Sequence, residues 1–117
     1  MGRLTTHVLD TMHGCPAAGL AVSLYRMGGA GAEPLLTRAT NADGRCDGPL
    51  LEGAALLPGV YELRFRVGDY FRQKGTPLAD PPFLDEVPVR FGVHDPAAHY
   101  HVPLLVSPFA YSTYRGS

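Results

Sequence analysis

Val60-Tyr61-Glu62-Leu63-Arg64-Phe65-Arg66-Val67 is the stretch whose reading decides the fold. Tyr61, Leu63, Phe65 and Val67 alternate with Glu62, Arg64 and Arg66, the period of two that a pleated strand imposes on its side chains. One face is therefore expected in a core and the other, polar face in water. Val87, Val89, Phe91 and Val93 repeat this spacing around Pro88. Proline gives no amide to a ladder, so this run is expected at a sheet edge or with that amide outward.

Further strands are expected over residues 4–10, 20–27, 35–41, 99–106 and 110–115, parted by turn clusters such as Gly28-Gly29-Ala30-Gly31 and Asn41-Ala42-Asp43-Gly44. The 11 prolines and 14 glycines are spread through the chain and cut it into short runs, the pattern of an antiparallel sheet protein. One short helix is expected over residues 69–74, with Asp69 as N-cap and Gly75 as its stop. Residues 50–57 contain Gly53, are bounded by Pro58 and read as a loop or short turn. Seven to eight short strands with regular turn signals predict an all-β chain, two packed sheets in an immunoglobulin-like β-sandwich.

The 117 residues suffice for one core, so a single domain over 1–117 is expected. Ten Lys and Arg against 11 Asp and Glu leave a net charge of −1 without any basic segment. Nothing here tracks a phosphate backbone or an anionic bilayer, and neither nucleic acid nor membrane is expected as a partner. No run approaches the roughly 20 apolar residues of a membrane span, and the opening Met1-Gly2-Arg3-Leu4-Thr5-Thr6-His7 lacks the apolar core of a secretory signal. A soluble, cytoplasmic protein is expected. Cys15 and Cys46 are too few for a disulfide framework and too far apart for a metal pair, so both read as free thiols.

Strand parity sorts the chemically capable side chains. In the first strand Thr5, His7 and Leu9 share one face, and Leu4, Thr6 and Val8 the other. In 99–106 the apolar set Tyr100, Val102, Leu104 and Val106 suits a core, which turns His99, His101, Pro103 and Leu105 outward. In the last strand Ser112 and Tyr114 share a face opposite Tyr111, Thr113 and Arg115. An outward face carrying His7, Leu9, His101, Leu105 and Tyr114 is neither clean surface nor clean core, the pattern of a subunit contact around a pocket. A homo-oligomer follows as an expectation. His13 and His94 fall in turn-rich segments and read as solvated.

The segments His7-Val8-Leu9-Asp10 with Gly14-Cys15-Pro16-Ala17, Thr40-Asn41-Ala42-Asp43-Gly44-Arg45, and residues 99–108 running on to Tyr111-Ser112-Thr113-Tyr114-Arg115-Gly116-Ser117 together resemble the 5-hydroxyisourate hydrolases of the transthyretin-related family. Cys15, where many relatives have a larger polar or basic residue, is a departure confined to a turn. The resemblance spans essentially the whole chain. It implies a transthyretin-like two-sheet sandwich, a homotetramer with active sites where two dimers meet, and opening of the six-membered ring of 5-hydroxyisourate in urate breakdown. It also implies His7, Arg45 and His101 as catalytic residues, and a substrate-binding role for the tail Tyr114, Arg115, Gly116 and Ser117 together with Ser112.

Those residue types fit the reaction. Opening a cyclic amide needs an activated water, stabilisation of charge on the attacked carbonyl oxygen and a proton for the departing nitrogen. A neutral imidazole serves as base, and either His7 or His101 qualifies. The planar guanidinium of Arg45, presented after the Asp43-Gly44 turn, suits an electron-rich ring. No cofactor is needed. A three-histidine zinc site from His7, His99 and His101 is conceivable by ligand type, but Arg45 beside it would repel a cation, so no metal is expected. Two other readings compete: a carrier of small aromatic ligands in the same channel, and a non-catalytic sandwich module that could dispense with the tail and Arg45.

Overall fold

In the computed structural model, which describes residues 1–116, two sheets are packed face to face. The first holds β1 (Arg3–Asp10), β2 (Cys15–Pro16), β5 (Leu51–Glu52), β8 (His99–Val106) and β9 (Tyr111–Thr113), with β2-β1-β8-β9 in order and β5 also paired to β1. The second runs β4-β3-β6-β7, from β3 (Ala21–Gly28), β4 (Gly31–Ala39), β6 (Gly59–Arg66) and β7 (Glu86–Val93). A single α-helix among the described residues, α1 (Val67–Gln73), follows β6.

The alternation in the opening stretch fills the space between the sheets. Leu63 lies opposite Leu24 of β3 and Val89 of β7, and all three are buried, as are Tyr61 and Phe65 on the same face. Leu4, Val8, Tyr100, Val102, Leu104 and Val106 close the core from the other sheet. Each such large apolar side chain contributes about 1.5–3 kcal/mol of burial free energy. Strand β7 is a sheet edge, and Pro88 sits there exposed, as its missing amide requires.

Four expectations need correction. Strands β1 and β8 pair in parallel, which no hairpin allows; most of the chain lies between Asp10 and His99 and supplies the long connection. Glu62, on the polar face of β6, is buried rather than solvated. Arg64 Nε and Arg90 Nε donate to its two oxygens at 2.7 and 3.1 Å, and their arms cover it. The hydrogen bonds from Arg64, outweighing burial, hold its carboxyl below the ordinary range. The helix begins at Val67, not after Asp69, because Val67 is fully buried and carries the core onto the first turn. Asp69 instead accepts from Arg66 and Arg72. Pro103 is buried, although parity set it outward.

The stop at Gly75 is as expected. Gly75 has φ +78°, its amide donates to the Arg72 carbonyl, and the Thr76 amide donates to that of Phe71, a Schellman ending. Strand β4 starts at Gly31, ahead of residue 35, because the β3–β4 hairpin turns within Gly29 and Ala30. Residues 50–57 form β5 and one 3-10 turn, Gly53–Ala55.

Candidate active site

The parallel register of β1 and β8 sets Thr5 beside His101 and His7 beside Pro103 on the outer face of their sheet, as parity predicts for the histidines. Thr5 Oγ1 stands 2.8 Å from His101 Nδ1 and 3.0 Å from His99 Nε2. Three side chains from adjacent strands thus form one polar cluster at the end of β1 where the chain begins.

Arg45 reaches this cluster through the turn before it. Asn41 Oδ1 accepts from the amides of Asp43 and Arg45 at 2.9 and 3.2 Å, an Asx arrangement that folds the segment back on itself. Gly44 takes φ +76° and lies so close to β1 that a Cβ there would collide with the Val8 carbonyl oxygen. The Val8 amide donates to Gly44 O at 2.8 Å, and Arg45 then makes an isolated antiparallel bridge with His7. His7 Nε2 lies 3.0 Å from the Asp43 carbonyl oxygen. A carbonyl only accepts, so Nε2 carries the proton and the lone pair of neutral His7 sits on Nδ1.

Between these elements lies a cleft of about 400 Å³, bounded by Arg3, Thr5, Arg45, Cys46, His99 and His101. Two guanidinium groups and no carboxylate line it among the described residues. Such a cleft favours an electron-rich or anionic ring. Burial, then the charges of Arg45, His7 and His99, lower the pKa of His101 below its ordinary 6.5. The imidazole is therefore neutral near pH 7, the form a general base requires.

The tail divides. The Gly116 amide donates to the His101 carbonyl at 2.8 Å, which sets residue 116 beside one of the cleft's residues. Ser117 lies outside the described residues. Strand β9 stops at Thr113, so the alternation expected through Arg115 ends early. Tyr114 and Arg115 bound a separate cavity with Val89, Phe91 and Tyr100, and the Arg115 guanidinium lies 4.2 Å from the centre of the Tyr100 ring. Ser112 pairs with Leu105 and borders a third hollow near Thr11. Within one chain, then, His101 and Arg45 line the cleft and His7 adjoins it through Arg45. Gly116 and Arg115 lie outside the lining but reach its residues through the His101 and His99 carbonyls, at 2.8 and 3.4 Å, whereas Tyr114 and Ser112 lie away from it.

Sequence reasoning passed over Thr5 and gave His99 only a ligand's role. Thr5 carried a usable signal, since it shares the outward face of His7. Its neighbour across the ladder depends on register, which parity alone does not supply.

Residues 4–116 match the family described as HIUase/Transthyretin. A 5-hydroxyisourate hydrolase of Mesorhizobium japonicum is 63% identical over 116 residues, covering 99% of this chain and 93% of the relative. Among solved structures, the 5-hydroxyisourate hydrolase of Klebsiella pneumoniae superposes with a TM-score of 0.82 at 36% identity, covering 100% of both chains. The crystal structure of (S)-allantoin synthase gives a TM-score of 0.94 at 50% identity over 99% of this chain, which spans 44% of that longer one.

Proposed function

The chain belongs to the HIUase/transthyretin family, and from that membership we propose that it is a hydrolase of 5-hydroxyisourate, opening the six-membered ring to 2-oxo-4-hydroxy-4-carboxy-5-ureidoimidazoline in urate degradation. The observation that carries this reading is that His101 and Arg45 line one cleft, where burial and the Arg45 charge lower the pKa of the imidazole.

His101 is the base. Its Nδ1 is engaged by Thr5, and among the described residues nothing bonds Nε2, which takes a proton from water. The water oxygen bonds the amide carbonyl carbon, and Arg45 stabilises the charge that develops on the carbonyl oxygen. The tetrahedral species collapses with cleavage of the C–N bond. The proton held on His101 returns to the departing nitrogen, so the ring ends neutral and ready for another turnover. His7 holds the Arg45 turn and, unlike His101, adjoins the cleft through Arg45 without lining it, so we assign it a supporting place beside the base.

We read the active form as a homotetramer of single-domain subunits spanning residues 1–117, with the outward face of β1 and β8 at the contact between dimers. Half-exposed Leu9 and Leu105 beside the histidines support this. In such an assembly Tyr114, Arg115, Ser112 and Ser117 bind substrate from a neighbouring subunit or narrow the channel. Cys15 and Cys46, unpaired among the described residues, support a reducing, cytoplasmic setting. No helix among the described residues is long and apolar enough to cross a membrane.

The test is direct. Freshly generated 5-hydroxyisourate loses its ultraviolet absorbance slowly unaided, and added protein is expected to speed that loss. A folded oligomer that leaves the rate unchanged would overturn the reading and favour a carrier.

A further inference from the structure

One hydroxyl stands between two imidazoles. Thr5 Oγ1 lies within hydrogen-bond distance of both His101 Nδ1 and His99 Nε2, at 2.8 and 3.0 Å. A hydroxyl carries a single proton, so it donates to only one of them. When both rings are neutral and both bonds are made, one ring must donate to Thr5 and the other must accept from it. His99 and His101 thereby play opposite donor and acceptor roles toward Thr5, and because one meets it through Nε2 and the other through Nδ1, both rings take the same tautomer. Two arrangements satisfy the geometry, and only one leaves a lone pair on His101 Nε2.

We propose that Thr5 is a positioning residue for the reaction: it accepts a hydrogen bond from His101 Nδ1–H and donates to His99 Nε2, fixing His101 in the tautomer whose Nε2 is bare for water. His99 has a defined part in this arrangement. Its unprotonated Nε2 turns the Thr5 proton away from His101, so the hydroxyl can only accept there. The inference rests on the reading of His101 as base. The position is constrained from the backbone as well. Thr5 and His101 are direct partners in the β1–β8 ladder, and β-branched threonine has few rotamers on a strand, so the hydroxyl is held in place without a separate support. Among the described residues the other charged or titratable groups around this trio are Arg3 and His7 from β1, Arg45 and Cys46 after the turn, and Arg115, which donates to the His99 carbonyl at 3.4 Å; none is a carboxylate that could take over the hydroxyl's part.

Long-range proton–nitrogen NMR correlations of the histidine rings, measured on the wild-type protein without substrate near pH 8, read the tautomers directly. The expected result is Nδ1–H on both His101 and His99. Nε2–H on His101 would overturn the proposal whether or not the protein turns over 5-hydroxyisourate. Kinetics give the second arm. Thr5→Val keeps the branched shape and strand preference and removes only the hydroxyl. It is expected to lower kcat by about tenfold or more with KM within about twofold, and to lose the wild-type tautomer pattern. Thr5→Ser is expected to recover most of the rate. A Thr5→Val protein with wild-type kcat would also overturn the proposal. An inactive wild type with the expected tautomers would instead defeat the hydrolase reading, so the two failures are told apart.

Discussion

The Gly116 amide donates to the His101 carbonyl at 2.8 Å, and the chain crosses that imidazole so closely that a Cβ on residue 116 would stand 2.6 Å from His101 Cδ2. Glycine is required here by proximity, since the backbone passes over a ring in the cleft. Gly116→Ala is therefore expected to displace either the tail or the imidazole. Displacements near 1 Å at a reacting centre cost about 100-fold in rate, so initial rates should fall by about ten- to 100-fold. The melting temperature should hardly move, because residue 116 lies at the rim of the sheet. Undiminished activity would mean that the tail simply yields and takes no part in placing His101.

The depressed pKa of His101 sets the direction of the pH dependence. Burial and then Arg45 disfavour the imidazolium, so the protonated, inactive form accumulates only below the ordinary 6.5. The acid limb of kcat/KM should fall there. Arg45→Met removes one cause of the depression, and the limb should move to higher pH. The same variant should lose about 2.7–4 kcal/mol of transition-state stabilisation, the usual effect of deleting an oxyanion donor. Folding linkage has the same sign: the unfolded chain binds the proton at higher pH, so this group's contribution is complete above 6.5 and is lost as pH falls through the folded value. A limb that stays in place in Arg45→Met would separate Arg45 from the base.

The alternation of Tyr61, Leu63 and Phe65 and the outward parity of His7, His99 and His101 were legible because they follow from the pleat alone. The parallel β1–β8 register was not, since it depends on the whole intervening chain, and with it went the pairing of Thr5 with His101. Glu62 misled for a related reason. Its strand places it outward, and its burial comes from Arg90 on another strand and from the Arg64 side chain beside it. The tail was legible in part. Its contact with His101 comes through Gly116, whereas the alternation that placed Tyr114 beside the histidines ends with β9 at Thr113.

Gly44 tests the delivery of Arg45. The residue combines φ +76° with an approach to the Val8 carbonyl that leaves no room for a Cβ. Gly44→Ala must either strain the backbone or lift the turn from β1, at a cost of about 1–3 kcal/mol. Lifting the turn breaks the Val8 amide bond to Gly44 and the bridge that joins Arg45 to His7. The kinetic loss should therefore exceed the loss in stability, with KM raised as well as kcat lowered. Equal wild-type kinetics in a folded Gly44→Ala protein would show that Arg45 needs no fixed turn.

Asp10 offers a test of the scaffold that leaves the chemistry alone. It lies five residues along β1 from Thr5, roughly 16 Å at strand rise, and it is buried to 1% exposure. Burial alone would raise its pKa, but the His13 amide at 2.9 Å, His13 Nδ1 at 2.6 Å and the Tyr70 hydroxyl at 2.8 Å together outweigh it and hold the carboxyl below its ordinary 3.8. Burial and then the Asp10 carboxylate push the Tyr70 hydroxyl upward, so it stays a neutral donor across the working range. A group depressed on folding contributes stability that is complete above its unfolded pKa and is lost as pH falls through the folded one. Tyr70→Phe removes one of the three donors, raises the folded value and leaves a buried carboxylate with fewer partners, at about 1–3 kcal/mol. Its acid-unfolding midpoint should therefore lie at higher pH than wild type, with turnover per folded protein unchanged. An unmoved midpoint would mean that the two His13 bonds suffice to keep Asp10 ionised, and that Tyr70 ties α1 to β1 by packing alone.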